Sequence, residues 1–398
     1  MKLPPLVYLL GLVSFLMDVA SEMVYPLLPL FLASLGAGAG AIGLVEGVAE
    51  ATASLFKVVG GRISDRVGRR KPLLLAGYGL PAFLRPILAL ASSPWHVLLY
   101  RFLDRLGKGL RTAPRDALLA ESVDKSALGR AYGLHRGLDT LGATVGPFLA
   151  FLLLPQVGVR GVFWLSAIPA FLAVLTLLWI REARSVKVAT DSLPSLRSGY
   201  LRTLPAAYRR FLLVSSIFAL ALSSNAFLLL RLKDLGLPQE QVTLAYTGYN
   251  FLYALLSYPL GGLADRVGLR RVVALGFALY ATVYLGFAWA ETAFWGVALL
   301  LLYALYSAAF EGASRAYLAT LIPQEAKATA IGLYHTVVGI LLLPASLIFG
   351  FLWQSYGPEL ARKAGMAESQ NTPRTPTWGR RRKARKGPTV APRVSRPR

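Results

Sequence analysis

Runs of about 20 apolar residues recur along most of this chain, and a helix of that length crosses about 30 Å of hydrocarbon. In lipid every backbone N–H and C=O must find a partner within the protein, so the runs read as helices rather than open strands. The pattern predicts eleven spans, at 6–34, 40–60, 72–91, 95–119, 131–154, 160–180, 211–231, 240–261, 271–290, 293–320 and 327–352. A length of 398 residues would by itself allow two or three soluble domains. With 55% hydrophobic and 16% charged residues sorted into these runs, that reading is excluded. The expected fold class is an all-α integral membrane protein. The first run could mimic a signal peptide, but it continues past Asp18 to Leu35 and reads as an uncleaved span. There is no cysteine, which excludes a disulfide framework and thiolate metal sites.

The formal charge of +23 matters less than its placement. Links near 35–40, 92–94 and 155–159 carry no charge, whereas links at 62–71, 121–130, 181–210 and 265–271 are rich in Arg and Lys. Charge thus alternates with loop parity. The positive-inside bias puts the amino terminus and the basic loops on the cytoplasmic side of a prokaryotic inner membrane. This is an orientation signal and not a nucleic-acid footprint.

The chain also repeats itself. Gly61-Arg62-Ile63-Ser64-Asp65-Arg66-Val67-Gly68-Arg69-Arg70 returns 200 residues later as Gly261-Gly262-Leu263-Ala264-Asp265-Arg266-Val267-Gly268-Leu269-Arg270. Ala113-Pro114-Arg115-Asp116-Ala117-Leu118 returns at the same offset as Ala313-Ser314-Arg315-Ala316-Tyr317-Leu318, and Gly133-Leu134 as Gly332-Leu333 at 199. A duplicated six-helix unit follows, as two pseudo-symmetric bundles: an N-terminal bundle at 1–180, a basic linker at 181–210, and a C-terminal bundle at 211–356. Parallel repeats of this kind place a substrate site between the halves near midplane.

The repeated loop resembles the G-x-L-x-D-R-x-G-R-[RK] signature between spans two and three of the major facilitator superfamily, with Ile63 at the Leu position. The resemblance implies a cytoplasmic gate that stabilises an outward-open state, built here from Gly61, Asp65, Arg66, Gly68, Arg69, Arg70 and their repeats Gly261, Asp265, Arg266 and Gly268. The residue types suit that role. A glycine lets a second helix approach closely, and an aspartate at a helix end can pair with arginine or sit at a helix N-terminus. Arg111, Arg115 and Asp116, near the cytoplasmic end of span four, are expected to join it. Arg101-Phe102-Leu103-Asp104-Arg105-Leu106-Gly107-Lys108-Gly109 resembles the family's R-F-L-Q-G-x-G-x-G pattern, departing at Asp104, Arg105 and Lys108. The resemblance associates Arg101 with proton coupling; the plainer reading is that Asp104 neutralises Arg101 or Arg105. Gly133, Gly142, Gly146 and Pro147 match the first four fixed positions of the family's drug/proton antiporter pattern, G-x8-G-x3-G-P-x2-G-G, and Ala150-Phe151 stand at its final pair. The wider sequence is similar to a prokaryotic branch of the superfamily, from which no substrate transfers.

Charged residues within spans are expensive and mark functional positions. Asp18 and Glu22 share a helix face, as do Glu46, Glu50 and Lys57. Buried carboxylates take up protons more readily than exposed ones, so Asp18, Glu22, Glu46, Glu50 and Asp139, with Arg101, are the proton-coupling candidates. Internal ion pairing of Glu50 or Asp139 with Lys57, Arg85 or Arg136 is the alternative. In the second half, Asn225, Tyr249, Asn250, Tyr253, Glu311 and His335 are candidate cavity residues. His335 has no His or Cys nearby to make a metal site.

A twelfth span is expected and not found. After Ala361 the chain turns Pro-, Thr- and Arg-rich, with twelve Lys/Arg against two acids from Glu359 onward. Residues 357–398 therefore read as a disordered basic tail, from a shifted reading frame, a cloning artefact, or a segment that binds anionic lipid. The resulting expectation is a monomeric secondary transporter of a small organic solute, working by alternating access with protons and membrane lipid as partners. It needs no cofactor and no nucleic acid. A proton-coupled exporter (antiporter) is favoured over a metabolite uptake permease or facilitator, a non-transporting sensor or scaffold, or an inactive truncated transporter. The chain has no phosphate-binding loop of the G-x-x-x-x-G-K-[ST] type and no nucleophile–base–oxyanion set, so neither an ATP-driven pump nor an enzyme is expected.

Overall fold

A computed structural model describes residues 3–37, 39–182, 200–222, 225–322 and 327–356. These residues are helical, with no strand among them. The first span is α1 (Pro5–Val24), a 3-10 turn at Tyr25–Leu27, and α2 (Leu28–Ser34). Pro26, which has no N–H to donate to the helical ladder, sits in the tightened turn. Then follow α3 (Ala39–Val67), α4 (Lys71–Ala89), α5 (Pro94–Glu121) and α6 (Leu128–Leu178). α6 contains two spans, parted at Gly158, whose φ of 66° breaks the helix where the sequence predicts a short link. The second half comprises α7 (Tyr200–Thr203), α8 (Ala206–Ala221), α9 (Asn225–Asp234), α10 (Gln239–Val267), α11 (Leu269–Trp289), α12 (Ala293–Thr320) and α13 (Lys327–Tyr356).

The sequence offset reappears in the helices. α3 and α10 begin and end 200 residues apart, and α5 and α12 begin and end 199 apart. One expectation needs correcting. The span predicted at 211–231 is not continuous, because Leu222 leaves helical geometry (ψ 134°) and a new helix starts at Asn225. Asn225 competes for backbone hydrogen bonds within a helix and suits the helix start it occupies here. The predicted tail at 357–398 lies outside the described residues.

Among the described residues, five helical segments are long and apolar enough to cross a membrane: Pro5–Leu27, Lys71–Ala89, Lys125–Leu178, Leu269–Trp289 and Ala293–Thr320. α3, α5 and α10 are as long but more polar, and in α5 the charged side chains of Arg101, Asp104, Arg111, Arg115 and Asp116 are buried against other helices. Trp95, Trp179, Trp289 and Trp295 are exposed and stand at helix ends, where indole rings anchor a protein at the lipid–water boundary.

Within the first half, Leu10, Val13 and Met17 of α1 pack with Tyr78 of α4 and Tyr132 and Ala170 of α6. Between the halves, α3 packs on α13 and α6 on α10, the same contact made twice. Lipid tails are as apolar as leucine, so such contacts rely on close packing around small residues. A Cβ placed on Gly61 would collide with the Ala328 carbonyl, and one on Gly261 with the Gly129 carbonyl. A Cβ on Gly332 would meet the Lys57 carbonyl, and one on Gly133 the Ser257 carbonyl.

Candidate functional site

The two repeated aspartates end α3 and α10, and each reaches the N-terminus of a helix in the opposite half. Asp65 accepts hydrogen bonds from the Thr329 N–H (2.7 Å), the Thr329 hydroxyl (2.6 Å) and the Ala328 N–H (3.3 Å) at the start of α13. Asp265 accepts from the Gly129 N–H (2.6 Å) and the Arg130 N–H (3.0 Å) at the start of α6. The first N–H groups of a helix have no intrahelical partner and carry the positive end of its dipole, so a carboxylate is a fitting cap. Asp65 also pairs with Arg70 at 2.5 Å, and Arg70 with Glu121 at 2.9 Å. The motif's second glycine follows from the turn it makes: Gly68 and Gly268 have φ of 67° and 107°. Arg66, Arg69 and Arg266 are exposed.

Above this double clasp lies a ring of charge that joins both halves. The Ser14 hydroxyl donates to Asp139 (2.6 Å), and Asp139 pairs closely with Arg136. Arg136 crosses to Glu311 of α12 (2.8 Å). Glu311 lies 3.8 Å from Arg315, and Arg315 lies 3.7 Å from Asp116 of α5. Asp116 takes Arg115 at 3.0 Å and His335 of α13 at 3.1 Å, and Arg115 returns to Ser14 at 3.4 Å. Asp116 therefore faces the other half. Arg111 does not. Its guanidinium donates to the Gly77 carbonyl (2.7 Å) and lies 4.3 Å above the Tyr78 ring, tying α5 to α4 within the first half.

A cavity of about 650 Å³ opens on this ring. Asp18, Lys57, Arg136 and Asp139 line it from the first half. Asn225, Tyr249, Asn250, Tyr253, Glu311, Arg315 and His335 line it from the second, which brings together all six residues predicted for the cavity. Sequence reasoning missed Tyr303, Tyr306, Phe310, Phe218 and Tyr334. Their rings form much of the apolar wall: Tyr249 stacks on Tyr303 at 5.5 Å, Tyr303 on Tyr306 at 5.3 Å, and Tyr306 on Phe310 at 5.3 Å. The available signal was the i, i+3 and i, i+4 spacing of tyrosines at 303/306, 249/253 and 280/284.

The remaining acidic candidates divide. Asp18 and Asp139 line the cavity side by side. Gly142 and Gly146 of the antiporter-like pattern are what bring α1 there: a Cβ on Gly142 would lie 2.5 Å from the Phe15 carbonyl oxygen and 3.1 Å from the Asp18 Cβ, and one on Gly146 would lie 2.8 Å from the Glu22 Cβ. Glu22 and Glu50 lie off this cavity wall, and Glu50 pairs with Arg105 at 3.6 Å rather than with Lys57, Arg85 or Arg136. The Glu46 side chain is outside the described set. Arg101 is buried, 4.0 Å from Asp104 and 5.5 Å from the Tyr25 ring centre. Asp104 stands equally 4.0 Å from Arg85 and Arg105, so one carboxylate serves three cations.

Comparison with known proteins gives the context. The sequence matches the profile of the Major Facilitator Superfamily over residues 10–232 and 211–361. It is 38% identical over 365 residues to an uncharacterised MFS-type transporter of Methanocaldococcus jannaschii, covering 89% of each chain. It is 28% identical over 304 residues to the multidrug resistance protein MdtG of Enterobacter lignolyticus, covering 72% of this chain and 70% of that one. The fold is similar to that of the fucose:proton symporter FucP of E. coli, with a TM-score of 0.74 at 16% identity over 91% of this chain and 98% of the other.

Proposed function

This chain belongs to the Major Facilitator Superfamily, and from that premise we propose that it is a proton-coupled exporter of small organic solutes in a prokaryotic cytoplasmic membrane. The basic loops and amino terminus face the cytoplasm, and the clasp of Asp65 and Asp265 holds the cytoplasmic side shut. The conformation described is then the one in which the cavity communicates with the outside.

The observation that carries the reading is the pair Asp18–Asp139 at the cavity wall, joined to the inter-half ring through Arg136. Two adjacent carboxyls in a low-dielectric wall avoid carrying two charges and hold one proton between them. Protonation of this pair weakens the charge that holds Arg136 on its own helix. The contact Arg136–Glu311 then changes partners, and with it the balance between halves. Proton loading and gate opening are thereby one electrostatic event, and solute release can be tied to it. The small-residue packing of α6 on α1 and the resistance-protein name of one relative support export rather than uptake.

The test uses inside-out membrane vesicles containing the full chain, energised to an acidic lumen and followed with a pH-sensitive dye. An exported solute is expected to dissipate the gradient when added, and vesicles lacking the chain should not respond. A solute that strengthens the gradient would assign uptake. No response across a broad panel of solutes would support a scaffold.

A further inference from the structure

The cavity's polar groups are not evenly satisfied. Each carboxylate on its wall has taken a partner: Asp139 has Ser14 and Arg136, and Glu311 has Arg136 at 2.8 Å. Asp18 sits against Asp139. The cations differ. Among the described residues Lys57 makes no hydrogen bond and no ion pair within 4 Å, although it lines the cavity. Its ammonium lies beside Gly339, where a Cβ would come within 3.8 Å of Nζ, so the missing side chain leaves it room. Arg315 touches carboxylates only at 3.7 and 3.8 Å, beyond hydrogen-bonding length, and its buried Nη1 has no hydrogen-bond acceptor. An unsatisfied buried guanidinium N–H is costly, and a free ammonium on a low-dielectric wall more so. The repeat sharpens the point, because the position equivalent to Lys57 in the second half is Ser257, which satisfies its hydroxyl on the Tyr253 carbonyl at 2.7 Å. Packing at that crossing needs no cation.

We propose that the cavity binds organic anions with an aromatic body, the anionic head held by Lys57 and Arg315 and the ring laid on Tyr249, Tyr303 and Tyr306. A carboxylate or phosphonate supplies the acceptors that both cations lack, in charge-assisted hydrogen bonds. The tyrosine wall supplies ring stacking. This names the substrate class for the transport reading above and rests on the same cavity.

The test is equilibrium binding to the purified full chain in detergent, with no gradient present. The probes share one ring and differ in charge: 2-naphthoate, 2-naphthamide and (2-naphthylmethyl)trimethylammonium. Naphthoate is expected to bind roughly tenfold or more tighter than either other probe, on the strength of charged hydrogen bonds. Lys57→Gln should abolish that preference, and Lys57→Arg should restore it. If Lys57 only supports packing, Lys57→Gln will lower thermal stability and leave the preference intact, which overturns the proposal. Tighter binding of the ammonium probe, or no binding of any probe, overturns it too. Naphthoate that binds but is never driven by a pH gradient would leave the anion site standing and remove the coupling reading. An organic cation exported against protons would do the reverse.

Discussion

Asp65→Asn removes one charge from a buried contact between the halves and changes almost no volume. The carboxylate accepts three hydrogen bonds from Ala328 and Thr329 and pairs with Arg70, which is 1% exposed. An asparagine keeps one acceptor oxygen but must turn its NH2 toward Arg70 or toward the α13 amides, donor against donor. Breaking a buried charge pair on one side costs about 3–5 kcal/mol, part of which is the helix-dipole interaction. At 1.4 kcal/mol per tenfold, the state clasped through Asp65 should lose about 10²- to 4 × 10³-fold in relative population. Asp265→Asn should do less, because Arg130 is partly exposed and 3.4 Å away, which leaves chiefly two backbone hydrogen bonds. At about 1.5–3 kcal/mol for charge-assisted bonds, the shift there is roughly tenfold to a hundredfold. The chain has no native cysteine, so Val67→Cys with Val267→Cys, both exposed, can carry spin labels without background. Pulsed electron paramagnetic resonance should give one short distance in the parent, a dominant longer one in Asp65→Asn, and a smaller long component in Asp265→Asn. An unchanged distribution in Asp65→Asn, or wider opening in Asp265→Asn, would refute the reasoning.

Other substitutions test other links. Gly142→Val should part α1 from α6, because its Cβ would lie 2.5 Å from the Phe15 carbonyl oxygen; overpacking of about 1–3 kcal/mol should appear as a lower Tm and weaker proton coupling. Arg85→Met should destabilise the first half by about 3 kcal/mol, since the fully buried guanidinium donates to the Ala20 carbonyl (2.8 Å) and Ser21 hydroxyl (3.0 Å); thermal unfolding in detergent reads this. Gly268→Ala forces a Cβ onto a backbone with φ of 107° and should cost about 1–2 kcal/mol, seen as a modest Tm loss.

The clasp was legible in the sequence because both its parts are local and repeated: an Asp ending a helix and a Gly three residues on, twice, 200 apart. The helix N-termini they cap were not, since the partners of Asp65 lie more than 260 residues away and depend on how the halves dock. The polar cavity residues could be found because Asn225, Asn250 and Glu311 are anomalous in apolar spans. Tyr303 and Tyr306 are not anomalous, and only the docking of α12 against α10 makes them a wall. Arg111 was misplaced for a related reason. It sits four residues before Arg115, about one helical turn, yet it points to α4 rather than across the interface. The break at Leu222 is not legible in the sequence because hydropathy averages over a window and a single residue in extended geometry does not change the average.

In the proposed transport cycle the Asp18–Asp139 pair couples protons to movement of solute. Proteoliposomes loaded with a transported solute give two readings from one preparation: uphill transport driven by an imposed pH gradient, and solute–solute exchange with no gradient. For Asp18→Asn and Asp139→Asn the account predicts loss of uphill transport with exchange retained, because the gate still cycles but carries no proton. Uphill transport retained in both variants would contradict it.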